Sequence, residues 1–229
     1  MPAARTEGRR AAPSMLHDQA TLLLCVRHGE TAWNALQRIQ GHTDIALNER
    51  GLGQAAALAA ALAGQELQAV YSSDLQRARQ TAVELARQRG LPLRTDTRLR
   101  ERAFGDFEGH RFADLQALHP LDCERWRRRD PQWAAPGGGE ALEQVQGRVV
   151  AALRDIASRH RGHSVALVSH GGVLDCLYRL ATGQPIQAPR SWELRNAAIN
   201  RLLLSEDRVS LIGWNDCSHL EAAADEAAD

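Results

Sequence analysis

The chain carries no surplus of charge: 28 Lys+Arg residues stand against 28 Asp+Glu. A protein that tracks nucleic-acid phosphates needs basic residues in excess, so no nucleic-acid partner is expected. No apolar run is long enough to cross a bilayer, and no membrane partner is expected either. Residues 1 to 20 hold arginines without a continuous apolar stretch and do not read as a secretory signal. Only four cysteines occur, Cys25, Cys123, Cys176 and Cys217. None forms a C-x-x-C pair. Their spacing suggests neither a zinc site nor a disulfide frame and suits reduced thiols in a cytoplasmic protein. There is no paired-carboxylate metal motif, and no repeat of solenoid period. Neither metal nor cofactor is expected.

What is present is an alternation of short apolar runs and helical patterns over 229 residues, enough for one α/β domain or two small ones. Strands are predicted at 21–26, 69–71, 91–94 and 164–168. Helices are predicted at 51–63, from Asp74 to about Gln88 with Ser73 as N-cap, at 140–160 and at 173–180. Segments 198–204 and 209–214 read as a hairpin joined by Ser205-Glu206-Asp207-Arg208. Strands alternating with helices imply a three-layer α/β/α fold. Its sheet is mainly parallel, with the hairpin as an antiparallel edge element. Residues 1–20 and 219–229 read as tails, the second acidic, around a domain spanning 21–218. The segment at about 104–139, with Trp126, Trp133 and a Pro-Gly-Gly-Gly end, reads as an insertion laid over the sheet and its site.

Two segments share one design. Leu22-Leu23-Leu24-Cys25-Val26 ends in Arg27-His28-Gly29-Glu30, and Val165-Ala166-Leu167-Val168 ends in Ser169-His170-Gly171-Gly172. Each places His-Gly at the carboxyl end of an apolar strand, where open α/β sheets bind ligands. Glycine beside the histidine is expected to let backbone approach a ligand. If the strands are neighbours, the imidazoles meet. Arg77 lies one turn into the helix after the strand at 69–71, and so near a strand end as well; Arg79 and Arg87 read as solvated. Arg27 closes an apolar strand, where an unpaired guanidinium is costly to bury.

Two guanidiniums and two imidazoles describe an anion pocket, and phosphate fits it. Phosphoryl transfer asks mainly for in-line positioning and charge neutralisation. A nucleophilic imidazole divides the reaction into two easier steps. A carboxylic acid must then protonate the leaving oxygen. Glu101 is the candidate; composition alone does not choose it over Asp106 or Glu108.

The run Arg27-His28-Gly29-Glu30-Thr31-Ala32-Trp33-Asn34 resembles the signature of the histidine phosphatase superfamily, also called phosphoglycerate mutase-like. Gln40-Gly41-His42-Thr43-Asp44-Ile45-Ala46-Leu47-Asn48-Glu49-Arg50-Gly51, Ser72-Ser73-Asp74-Leu75-Gln76-Arg77, the Glu101 segment and Ser169-His170-Gly171-Gly172 extend the resemblance in order and spacing. The resemblance implies that His28 is the nucleophile and that Arg27, Arg77 and His170 complete the phosphate pocket. It makes Glu101 the general acid, which later activates water, and Asn34 a phosphate contact. Backbone N–H groups near Gly41 and Gly171 are expected to add donors. Gly105-Asp106-Phe107-Glu108-Gly109 looks like the phosphatase branch, which lacks the longer insertion of the mutases. Pro136-Gly137-Gly138-Gly139-Glu140-Ala141 departs from the branch's Pro-Gly-Gly-Glu-Ser.

The expected activity is therefore metal-independent hydrolysis of small phosphate monoesters. The rival readings are a mutase needing a bisphosphate primer and a non-catalytic phospho-ligand binder. The expected partner is a small phosphorylated metabolite: a phosphoglycerate-like acid, a sugar phosphate, or a nucleoside-type monophosphate such as ribazole phosphate. A homodimer rests on base rates alone. The run Arg125-Trp126-Arg127-Arg128-Arg129 reads either as a solvated helix face or as a reader of an acidic substrate group. His110 and His119 read as surface.

Overall fold

An apolar run without alternation, like the one ending at Val26, belongs to a strand covered on both faces. The computed structural model, which describes residues 20–205 and 208–221, bears this out. The elements follow as β1 (Thr21–Arg27), α1 (Ala32–Ala35), α2 (Glu49–Ala61), β2 (Ala69–Ser72), α3 (Gln76–Gln88) and β3 (Leu93–Thr95). Then come α4 (Phe112–Leu118), α5 (Pro120–Arg127), α6 (Leu142–Arg159), β4 (Ser164–Ser169), α7 (Gly171–Thr182), β5 (Ile199–Leu204) and β6 (Val209–Asp216). The strands form one sheet in the order β3-β2-β4-β1-β5-β6. From β3 to β1 the pairing is parallel; β5 and β6 add the antiparallel edge.

Successive side chains of β1 serve two cores, as the pleat requires. Leu23 and Cys25 pack with Val149 and Leu153 of α6 and Val173 and Leu177 of α7. Leu24 and Val26 pack with Leu58 of α2 and with Ala78, Ala82 and Leu85 of α3. Helices thus lie on both faces, giving three layers. The segment at 104–139 adds a small core of its own, with Phe107, Leu115, Cys123 and Trp133 buried together. All four cysteines are free and buried, and burial pushes the Cys25 and Cys176 thiols up to about 12. Among the described residues, no helix is long and apolar enough to cross a membrane.

Some boundaries move. Ser73 is not the cap of α3: the helix starts at Gln76, whose N–H donates to Oδ1 of Asp44 at 2.6 Å, so a loop distant in sequence does the capping. Ser73 Oγ accepts only from Leu75 N–H, at 3.3 Å. Glu140 stays outside α6, because its carboxylate is occupied by the segment at 101–103. α7 starts at Gly171, two residues earlier than the pattern indicates. Of the expected tails, residues 1–19 and 222–229 lie outside the described residues, as do 206 and 207 of the hairpin connection.

Candidate active site

β1 and β4 run parallel with Arg27 opposite Ser169. The next residue of each strand, His28 and His170, therefore leaves the sheet beside the other. The His28 N–H donates to the Ser169 carbonyl at 2.9 Å, and the ring centroids lie 5.1 Å apart at 56°. Both residues are buried, at 2 % and 0 % exposure. His28 Nδ1 sits 2.7 Å from the Gly29 carbonyl. A carbonyl only accepts, so Nδ1 carries the proton and Nε2 keeps its lone pair. Burial first, then the charges of Arg77 and Arg27, hold His28 well below its ordinary value. Burial and Arg77 do the same to His170, both of whose nitrogens are buried without a hydrogen bond among the described residues.

Arg77, at 0 % exposure, has no carboxylate bonded to it among the described residues. Its Nη1 and Nη2 donate to the carbonyls of Thr43 (3.0 Å) and Gly41 (2.7 Å), and its Nε has no partner. Arg27 is held by the Leu194 carbonyl, and its buried Nε is likewise unused. Burial lowers both guanidiniums, and the charge of Glu101 works against it. Two buried cations fixed by carbonyls, each with a donor left over, form a site preorganised for an anion.

Glu101 reaches this cluster from the loop after β3. Its carboxylate accepts from Gly172 N–H at 3.0 and 3.1 Å and from Arg102 N–H at 2.8 Å. It thus rests on the N-terminus of α7, where free amides favour negative charge. A Cβ at position 172 would collide with Glu101 Oε1, so this glycine sets the approach. Gly171 is less constrained: a Cβ there would make ordinary contact with Glu101 and Arg27. Gly29 is needed for packing, because a Cβ there would strike the backbone of Gly51 in the first turn of α2.

The structure brings His28, His170, Arg27, Arg77 and Glu101 together at the carboxyl ends of β1, β4 and β2. Asn34 lies one step away. Its Oδ1 accepts from Thr31 N–H at 3.1 Å in the cap of α1, and stands 3.4 Å from Nδ2 of Asn196, which donates to the His28 carbonyl. Gly41 contributes its carbonyl, which holds Arg77. Its φ of +52° and a neighbouring Glu108 carboxylate leave no room for a side chain. Glu108 is committed to the loop, accepting from the N–H groups of His42, Thr43 and Phe104, and Asp106 is exposed; neither competes with Glu101.

The fold also recruits residues that sequence reading passed over. Arg148 of α6 donates to the carbonyls of Arg98, Arg100 and Glu101 and pairs with Glu140 at 2.8 Å. Glu140 in turn accepts from Ala103 N–H, and His42 Nε2 lies 2.8 Å from the Glu101 carbonyl. This network fixes the backbone that aims Glu101. Its only sequence signal is an arginine on an otherwise amphipathic helix.

A cavity of about 1150 Å³ opens beside the cluster, with Arg27, Glu101, Gly171 and Gly172 at one end and Phe104, Phe112 and Trp126 of the insertion along its wall. A second cavity, of about 600 Å³, sits at the opposite end of the sheet near Thr21 and touches none of these residues. Among the described residues, no group of three His, Cys, Asp or Glu is placed to hold a metal ion.

Burial of neutral imidazoles has a measurable consequence. His28, His170, His160 and His219 are all held below the ordinary 6.5, by burial first in each case. Each binds a proton more readily in the unfolded chain, so stability falls as pH drops through 6.5 and levels off above it. In phosphate-free buffer the urea midpoint is expected to be lower at about pH 5.5 than at about pH 7.5. An unchanged midpoint would contradict the buried neutral rings.

Comparison with known proteins places this geometry. The family model for the histidine phosphatase superfamily (branch 1) matches residues 23–217. "Phosphoglycerate mutase-like protein 4" of Arabidopsis thaliana is 38 % identical over 202 residues, covering 87 % of this chain and 86 % of the relative. A "metal-independent phosphoserine phosphatase" of the same plant is 37 % identical over 209 residues, covering 90 % and 86 %. The structure of a mycobacterial glucosyl-3-phosphoglycerate phosphatase superposes with a TM-score of 0.75 at 33 % identity, covering 86 % of this chain and 99 % of that one.

Proposed function

The chain belongs to the histidine phosphatase superfamily and is a phosphoric monoester hydrolase; from that premise we propose metal-independent hydrolysis of small phosphate monoesters through a phosphohistidine on His28. The observation that carries this reading is the free Nε2 lone pair of a neutral His28 beside two guanidiniums with unused donors. A phosphoryl group drawn between Arg27, Arg77 and His170 has its oxygens neutralised while Nε2 attacks in line. The bond from Nε2 to phosphorus forms, and the bond from phosphorus to the ester oxygen breaks. That oxygen takes its proton from the Glu101 carboxyl. The resulting carboxylate then takes a proton from water, whose oxygen attacks phosphorus. Inorganic phosphate leaves and His28 returns neutral.

The guanidiniums supply the charge neutralisation that other phosphatases draw from divalent ions. Phosphate release from a panel of small esters is expected to be the same with and without excess EDTA. Activity that disappears with EDTA and returns with added divalent ion would refute the metal-independent reading.

A mutase is the second reading, favoured by the phosphoglycerate mutase names that several relatives at 36–38 % identity carry. Against it, the segment after Glu101 turns at once into Gly105–Phe107 and the short helices α4 and α5, and Phe104, Phe112 and Trp126 present ring faces to the cavity. The segment thus lacks the longer insertion that the mutase reading requires.

A further inference from the structure

The cavity beside Glu101 is too large and too particular for a three-carbon ester. Its volume of about 1150 Å³ exceeds the roughly 300–1,000 Å³ usual for small-molecule sites. Arg27, Glu101 and Gly171 line it and the imidazoles do not, so it adjoins the phosphate pocket on the side of the general acid, where a leaving alcohol needs room.

Its walls are flat and apolar. Trp126 stands against Phe104 (4.9 Å between centroids) and Phe112 (5.2 Å) on the insertion. Trp192, with Tyr178 stacked at 4.0 Å and the Arg179 guanidinium 4.7 Å from its centroid, stands with Leu194 as a second wall. All three insertion rings are only partly buried, so faces remain for a ligand.

Its charge is unbalanced. Six guanidiniums line it against the carboxylates of Glu101, Asp175 and Glu193. Arg127 and Arg129 are answered by Glu124 and Asp175, both at 2.6 Å. Arg102 has no ion pair among the described residues, although the charges of Glu101 and Glu140 act on it and its guanidinium lies over the Phe104 and Trp133 rings, 5.3 and 5.1 Å from their centroids. It is 4 % exposed, its Nε and Nη2 donate to the carbonyls of Glu140 and Trp133 at 2.7 Å, and its Nη1 has no partner among the described residues. Burial pushes it down to about 10, the direction a bound anion would reverse. Arg190, exposed at the rim, also has no acidic partner among the described residues, and its charge acts on Arg27.

We propose that this cavity is a leaving-group subsite for phosphate esters whose alcohol is flat and apolar over one part and carries a negative charge, read by Arg102 and Arg190. The proposal rests on the hydrolase reading above and narrows its substrate class. The flat part lies between the Trp126 and Trp192 walls; the anion meets Nη1 of Arg102, with Arg190 closing over it.

The test compares kcat/KM for 2-naphthyl phosphate, 6-carboxy-2-naphthyl phosphate and 3-phosphoglycerate. The carboxynaphthyl ester is expected to exceed both others by about tenfold or more, the worth of one charge-assisted hydrogen bond. Arg102→Gln and Arg190→Gln are each expected to cut its preference over the plain naphthyl ester by about threefold or more. Because Arg102 also braces two carbonyls, Arg190→Gln carries the test if Arg102→Gln does not fold. A ratio of two substrates on one variant is insensitive to general damage. Equal turnover of the two naphthyl esters, a better rate with 3-phosphoglycerate, or a preference that the folded variants retain would overturn the subsite while leaving the hydrolase intact. No turnover of any ester would sink the hydrolase reading and the subsite with it.

Discussion

His28→Ala is expected to lower kcat by at least about 10⁴-fold on every ester, because removing a covalent nucleophile deletes the reaction path rather than weakening it. Wild-type protein quenched during turnover of a ³²P-labelled ester is expected to carry acid-labile, base-stable label on His28, and the variant none. The loss should not reflect unfolding. Among the described residues, the only side-chain hydrogen bond of His28 goes to the carbonyl of the next residue, so its removal orphans no partner side chain. The cavity left by a buried ring costs about 2 to 4 kcal/mol at most, by analogy with core truncations, and a thermal midpoint measures it. Arg27 and Arg77 remain in place, held by backbone carbonyls, so the variant should still bind inorganic phosphate. Binding without turnover is the combination that assigns the chemistry to Nε2. A variant that kept wild-type turnover, or label on another residue, would end the phosphohistidine reading.

Much of this site was legible because a strand carries its own address. An unbroken apolar run implies a strand buried on both faces, and such strands run parallel and end where ligands bind. Two such runs ending in His-Gly therefore specify a meeting of imidazoles once they pair, and the register of Arg27 with Ser169 supplies that pairing. Arg77 was harder to read. The chain has no lysine; all its basic residues are arginines. Residue type alone cannot separate Arg77 from Arg79, which is exposed on the same helix. The family motif could make that distinction, and local chemistry could not.

What stayed hidden is tertiary. Asp44 caps α3 from more than thirty positions away, so Ser73 offered a local cap that the fold does not use. Arg102 follows a carboxylate and precedes a loop, and nothing in that pattern announces that it is buried. It is buried because the turn at Pro136–Gly139 folds back onto residues 103–106, and the carbonyls of Trp133 and Glu140 on either side of that turn accept from its guanidinium. Asp106 N–H donates to the Pro136 carbonyl at 2.9 Å, and a Cβ at Gly105 or Gly137 would collide across that contact. Arg148, His42 and Glu140 form a second case: three polar residues from three segments converge on one backbone stretch, a convergence invisible in any single window.

Glu101→Gln is expected to lower kcat for alkyl esters by about 10² to 10⁴-fold, the usual worth of a positioned acid, with a smaller loss in the first step for p-nitrophenyl phosphate. The substitution preserves shape. Oε1, which accepts from both Gly172 and Arg102 N–H, is kept, so the loop and the start of α7 retain their contact. What disappears is the exchangeable proton. An alkoxide cannot leave without one, whereas p-nitrophenolate is stable at neutral pH and leaves unaided. Transfer to His28 should therefore survive with that substrate. Loss of the second step is then exposed, because a glutamine cannot draw a proton from the attacking water. Stopped-flow absorbance should show a burst of nitrophenolate approaching one equivalent per active site, followed by a slow steady state, with phosphohistidine accumulating in parallel. Inorganic phosphate should show no burst. Equal losses on alkyl and nitrophenyl esters, with no burst, would mean that Glu101 only positions the helix terminus. The proton would then have to come from Glu193, the remaining cavity carboxylate that does not share an ion pair with a buried arginine, since Asp175 is held by Arg129 and Arg179.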